Sequence, residues 1–125
     1  MVPHPPISVP EIGRGEEKKI QATLDSFDRV AQKIAELRPD TVVLTSPHSI
    51  SYTDYFHISP GAGATGDFSG FGVPQVRFDV AYDREFTEAL RKRADKMNFP
   101  AGTYGERKKE LDHGTMVPLD VINKR

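Results

Sequence analysis

The 125-residue chain contains no cysteine. Disulfides and thiolate metal sites are thereby excluded, and any metal must be held by imidazole and carboxylate groups. An excess of charge of either sign is also lacking: 17 basic against 18 acidic residues leave a formal net charge of -1. That balance removes the electrostatic footprint expected of a nucleic-acid binder or of a protein docking on an anionic membrane. No apolar run approaches the ~18 residues of a transmembrane helix. The opening stretch from Met1 to Gly13 lacks the basic and apolar regions of a secretory leader. A cytoplasmic location is the default expectation.

Hydrophobic residues make up 37% of the chain and charged residues 28%, values that suit a folded globular protein rather than a disordered one. The length allows one domain with one modest core. Internal repeats and a domain linker are both lacking.

Near the start, Pro3, Pro5, Pro6 and Pro10 keep the backbone out of a helix interior, because proline has no amide hydrogen and crowds the preceding turn. His4 sits between two of them, so a stiff backbone sets the direction of its imidazole. From Glu16 to Leu37 the apolar residues Ile20, Leu24, Phe27, Ala31 and Ile34 recur at helical spacing and predict one buried stripe, with Pro39 as the stop. Thr41 to Ser46 is a short β-branched run after a helix and predicts a strand buried on both faces. Pro47 ends it and His48 follows, at the carboxyl end of a strand, where sites in α/β sheets lie.

Residues 49–74 read as a loop, with the glycines from Gly61 to Gly72 forming a flexible lid or surface loop. A phosphate cradle is a poor reading of it, since no Gly-Lys-Ser/Thr ending is present. Gln75 to Tyr82 alternates, Val76, Phe78 and Val80 against Arg77 and Asp79, and predicts a half-exposed strand, consistent with an edge. Asp83 is positioned to cap a second helix running to about Met97, with Phe86, Leu90, Arg93 or Ala94, and Met97 on its stripe. Arg91, Lys92, Arg93 and Lys96 read as a solvated face, and Arg107-Lys108-Lys109 as a solvated turn. The region 98–111 is polar and irregular. Pro118 is placed to open a short final helix. Two convincing strands are too few for a parallel sheet, so the chain reads as a piece of a larger domain.

Three of the four histidines, His4, His48 and His113, stand in unusual local contexts. Imidazoles suit Fe(II), Zn(II) and related ions, and a further histidine can act as ligand, base or hydrogen-bond donor. Spacing does not decide between that and ordinary solvated loop histidines, because no tight local metal motif is present. His57, beside Tyr55 and Phe56, reads as a histidine packed among aromatics. Asp112, next to His113, is best placed to bind a backbone amide.

Taken together, Val2-Pro3-His4-Pro5-Pro6, Ser46-Pro47-His48-Ser49 and Leu111-Asp112-His113-Gly114-Thr115-Met116-Val117-Pro118-Leu119 resemble the LigB family, the class III extradiol ring-cleavage dioxygenases and their relatives. Tyr55-Phe56-His57-Ile58-Ser59-Pro60 and the glycine-rich stretch after it also match. The resemblance covers nearly the whole chain. It is nearest to the bacterial branch linked with AMMECR1 and Memo-like proteins, where Pro10-Glu11-Ile12-Gly13 fits as well.

The resemblance implies an α/β fold, a three-layer α/β/α arrangement with a mainly parallel sheet, incomplete here, of which residues 1–125 are the N-terminal portion. It implies a mononuclear Fe(II) site, or another divalent metal, held by two histidines and a carboxylate. His4 and His48 match the two histidine ligands. His113 matches the histidine of the Asp-His-Gly motif near substrate and oxygen, a catalytic role. The implied reaction cleaves the ring of a catechol-like aromatic diol with O2. In the family the carboxylate ligand and the principal acid–base histidine lie beyond the position matching Arg125, and Glu11 is a candidate substitute without motif support. The 125 residues alone are therefore expected to bind metal weakly without turnover, and to associate as a homo-oligomer or with the missing half. A Memo-like metal- or ligand-binding accessory protein without ring cleavage is the alternative that the resemblance leaves open.

Overall fold

A computed structural model describes residues 1–105 and 110–124. The expected turn at Arg107-Lys108-Lys109 lies outside the described residues. The proline-rich start enters a 3-10 turn at Pro6–Ser8 and a single helical turn, α1, at Pro10–Gly13. A 3-10 stretch at Glu16–Ile20 leads into α2, Gln21–Leu37. The stripe predicted for this helix is the face that packs. Phe27 and Ala31 are buried, and Leu24 is half-buried against the core. Arg38 ends the helix in the left-handed region, its amide bonded to the Ile34 carbonyl, and Pro39 prevents continuation.

Strands β1 (Phe56–His57), β2 (Gly63–Phe68), β3 (Val73–Ala81) and β4 (Ala101–Gly102) form two small sheets. β1 pairs with β4 in parallel, and β2 pairs with β3 in an antiparallel hairpin with an irregularity between Asp67 and Phe68. A further parallel bridge joins Thr65 to Glu110. With helix α3 (Arg84–Lys96) between β3 and β4, and α4 (His113–Asn123) closing the chain, the fold is α/β with parallel pairing.

Three local expectations are corrected. Thr41 to Ser46 joins no sheet among the described residues, and Val43 is 63% exposed rather than buried on both faces. β-branched residues suit a pleated, half-buried surface, but no strand forms without a neighbour to accept its ladder hydrogen bonds. Second, the glycine-rich stretch is not a lid: Gly63–Phe68 is a strand. Glycine at position 66 lets that strand approach α4, since a Cβ there would fall 2.8 Å from both the Leu111 Cβ and the Met116 Sδ. Third, the last helix begins at His113, and Pro118 lies inside it. The Asp112 side chain accepts from the Thr115 amide at 3.1 Å, which sets the start before the proline is reached.

β3 alternates as expected, with Phe78 buried, Val76 and Val80 half-buried, and Gln75, Arg77 and Asp79 exposed. Asp83 caps α3 by accepting from the Phe86 amide at 2.8 Å. Arg91 bonds Glu88 and Asp95 along the same solvated helix. The apolar stripe of α3 is largely uncovered, Phe86 and Leu90 being 42% exposed each, while Ala94 is buried.

The core lies between α2, α4 and the hairpin. Val9, Phe27, Phe68, Val73, Phe78, Met116 and Val117 form it, with Val2, Ile12, Leu24 and Leu119 packed at its margin. Val9 and Ser8 anchor the proline-rich start from beneath: Val9 has no exposed surface, and the Ser8 hydroxyl donates to the Pro5 carbonyl at 2.7 Å. This footing positions His4, four residues before Ser8.

Candidate metal centre

His4, His48 and His113 come from three separate parts of the chain and converge. His4 is held on the stiff proline segment, His48 follows Pro47 on the irregular run 41–49, and His113 is the first residue of α4. The Nε2 atoms of His4 and His48 stand 2.8 Å apart. One nitrogen from each of the three rings lies within 4.8 Å of the others. Ring centroids are 4.1 Å apart for His48 and His113, and 4.9 Å for His4 and His48. His48 is exposed, while His4 and His113 are half-buried, so the cluster opens to solvent on one side.

The donor set fits a divalent ion. Two ligand nitrogens each about 2.0–2.1 Å from one ion, and about 90° apart at it, stand about 2.8–3.0 Å from each other. The Nε2 pair meets that spacing. In the metal-free form the same contact is a hydrogen bond in which one tautomer's Nε2–H donates to the other ring. Among the described residues no carboxylate belongs to the group, Glu11 included.

The surroundings favour the neutral form of His113. Burial lowers its pKa from the ordinary 6.5, the neighbouring His48 and, less strongly, His4 lower it further, and Asp112 acts in the opposite direction. A neutral imidazole offers the lone pair needed either to bind a metal or to accept a proton. The Phe71 ring meets His113 nearly edge-on, with centroids 5.6 Å apart at 74°. It supplies an apolar wall beside the imidazole.

His57, expected among aromatics, lies on β1 away from the trio, with its ring 6.1 Å from Tyr52. Asp112 takes the backbone role expected of it as cap of α4. It also accepts from the Ser46 hydroxyl at 2.6 Å, a contact between residues 66 apart for which nothing local in the sequence is a signal. Phe71 was equally hidden, inside a glycine-rich stretch that reads as loop.

Among the described residues no helix is long and apolar enough to cross a membrane. No solved structure matches the chain at a significant level. The chain is 39% identical over 131 aligned positions to protein CA_C1420 of Clostridium acetobutylicum, an alignment covering 99% of this chain and 28% of that protein. It thus spans little more than a quarter of the curated relative it matches. A family profile described as the catalytic LigB subunit of aromatic ring-opening dioxygenase matches residues 1–125, and the chain belongs to that family.

Proposed function

We propose that these residues form part of the metal centre of an extradiol-type aromatic ring-opening dioxygenase, with His4 and His48 as ligands of an Fe(II) ion and His113 as the catalytic imidazole. The observation that carries this reading is the convergence of three imidazoles, two of them with Nε2 atoms 2.8 Å apart, in a chain of the ring-opening dioxygenase family. When bound, the iron supplies a meeting point for a catechol-like diol and O2, and the net reaction inserts both oxygen atoms as a ring carbon–carbon bond breaks.

Each residue then has a definite task. His4 is presented from a backbone that proline has stiffened, so little freedom is lost when it binds. His48, at the exposed side, leaves the approach to the centre open. His113, whose pKa burial lowers, presents an imidazole favoured in its neutral form on the substrate side, suited to hydrogen-bond a substrate hydroxyl or oxygen. Phe71 lines the same side and gives an aromatic ring an edge to pack against.

Oxygen uptake by the full-length, Fe(II)-loaded protein against a panel of catechols and aminophenols tests the reading. Uptake with concurrent formation of a yellow ring-opened product is expected. No uptake with any of these compounds, in protein shown to contain iron, refutes it.

A further inference from the structure

Among the described residues His48 lies on a run that belongs to no helix or sheet, yet its imidazole must meet two others within a few ångströms. We infer that Ser46 and Asp112 form a latch that holds the ligand His48 in register with the catalytic His113, so that Ser46 and Asp112 are positioning residues of the centre. The inference rests on the metal-binding reading above and adds two residues to it.

The contact is specific in its chemistry. The Ser46 hydroxyl donates to Asp112 Oδ1 at 2.6 Å, a short bond to a charged acceptor, and the pair is partly buried. The same hydroxyl oxygen accepts from the backbone amide of His48 at 3.3 Å. Asp112 Oδ1 in turn accepts from the Thr115 amide at 3.1 Å in the first turn of α4. One carboxylate oxygen thus ties the start of the His113 helix to the loop that carries His48. The carboxylate is committed to these donors and stands outside the imidazole group.

The close approach also depends on Gly114. A Cβ at that position would lie 2.6 Å from the Ser46 Oγ, 2.8 Å from the His48 Cδ2 and 2.9 Å from Asp112 Oδ1. A larger residue would displace these three side chains, and with them the Ser46–Asp112 bond. The bare backbone at 114 and the hydroxyl at 46 therefore serve one end, which is to seat His48 against the first turn of α4. Groups that orient metal ligands from behind typically alter affinity by about 10–100-fold when removed.

The test is a Co(II) titration of the full-length protein, with affinity read by competition against a chromophoric chelator and geometry read from the Co(II) visible spectrum. Ser46→Ala should weaken Co(II) binding by about 10–100-fold and change the spectrum, and Ser46→Thr, which restores a hydroxyl, should recover most of the loss. Ala94→Gly, inside the distant helix α3, should lower the melting temperature and leave Co(II) affinity alone. If Ser46→Ala does not fold, two cap-preserving variants carry the test. Asp112→Asn keeps both the cap and the reach to Ser46, whereas Asp112→Ser keeps a cap but is too short for the latch. The serine variant should bind Co(II) more weakly than the asparagine variant. Wild-type affinity and spectrum in Ser46→Ala, equal affinities in the two Asp112 variants, or an equal loss in Ala94→Gly would each overturn the latch. A wild-type protein that binds no Co(II) would instead overturn the metal reading itself, and the latch with it.

Discussion

Replacing Phe68 by alanine probes whether the hairpin and α4 share one core. Phe68 ends β2 with no exposed surface. Its ring meets Phe78 edge-on at 5.8 Å and 89°, and Phe71 at 6.1 Å and 69°. Removing a buried phenylalanine side chain costs about 3–5 kcal/mol, the spread reflecting how far the surroundings collapse into the void. Val9, Val73 and Val117 around it are also fully buried, with little freedom to move inward, which favours the upper half of that range. The pairing with Phe78 accounts for about 0.5–1.5 kcal/mol of the loss. Against a total of about 5–15 kcal/mol for a folded domain, the variant should lie near the edge of folding. Urea unfolding of wild type, Phe68→Ala, Phe78→Leu and the double variant gives both the total and the coupling. A loss below about 1 kcal/mol for Phe68→Ala, or strictly additive effects of the pair, would refute the packing described here.

His4→Ala should remove one of the two closest ligand nitrogens and abolish tight Co(II) binding while leaving the fold intact, as read by chelator competition and circular dichroism. Metal affinity should fall as the solution is made more acidic, because protons compete with the ion for the imidazoles. The sign for stability is the same at His113: its folded pKa lies below the ordinary 6.5, so the stability it contributes is present above 6.5 and is lost as pH falls through the lower folded value. His113→Gln should flatten that part of the stability–pH curve, and an unchanged slope would count against the burial of this ring. On α3, the Glu88 carboxylate is held down to about 2 by the Arg91 guanidinium that bonds it. Its contribution is present above its ordinary 4.5 and disappears as pH falls toward 2, and a carbon-13 side-chain titration with a midpoint near 4.5 would contradict the pairing. Gly66→Ala should destabilise by about 1–3 kcal/mol through overpacking against Leu111 and Met116, measured as a lowered urea midpoint.

Features set by residues close together in the chain were legible in the sequence. Asp83 caps α3 through an amide only three residues away, and the stripe of α2 repeats within one helix, so both follow from local spacing. Features that need a partner from elsewhere were not. Val42, Val43 and Leu44 have strand-forming side chains, but a strand is a relation between two segments, and here the second is not supplied by the described residues. The glycines of β2 misled for the complementary reason. Glycine permits a loop and also permits close approach, and only the neighbour at Leu111 and Met116 decides which. At α4 two local signals competed: Pro118 is a good opening residue, but the Asp112 cap lies earlier and takes the start.

The histidines extend the same reasoning to function. Each is an ordinary loop or helix-end residue by itself, and the separations between them carry no metal-binding period. Family resemblance singled out His4, His48 and His113, whereas geometry shows that they occupy one small volume. Neither of these speaks to how that volume is maintained. His4 is rigid by virtue of its prolines and the buried Val9, and His113 by virtue of its helix. His48 has no such support of its own; the charge-assisted bond nearest it comes from Asp112 through Ser46, while Asp83 holds only the far end of the run, at Thr41. The weakest-held ligand is therefore where a conservative change should most alter the centre, which is why the Ser46 variants discriminate better than deletion of any histidine.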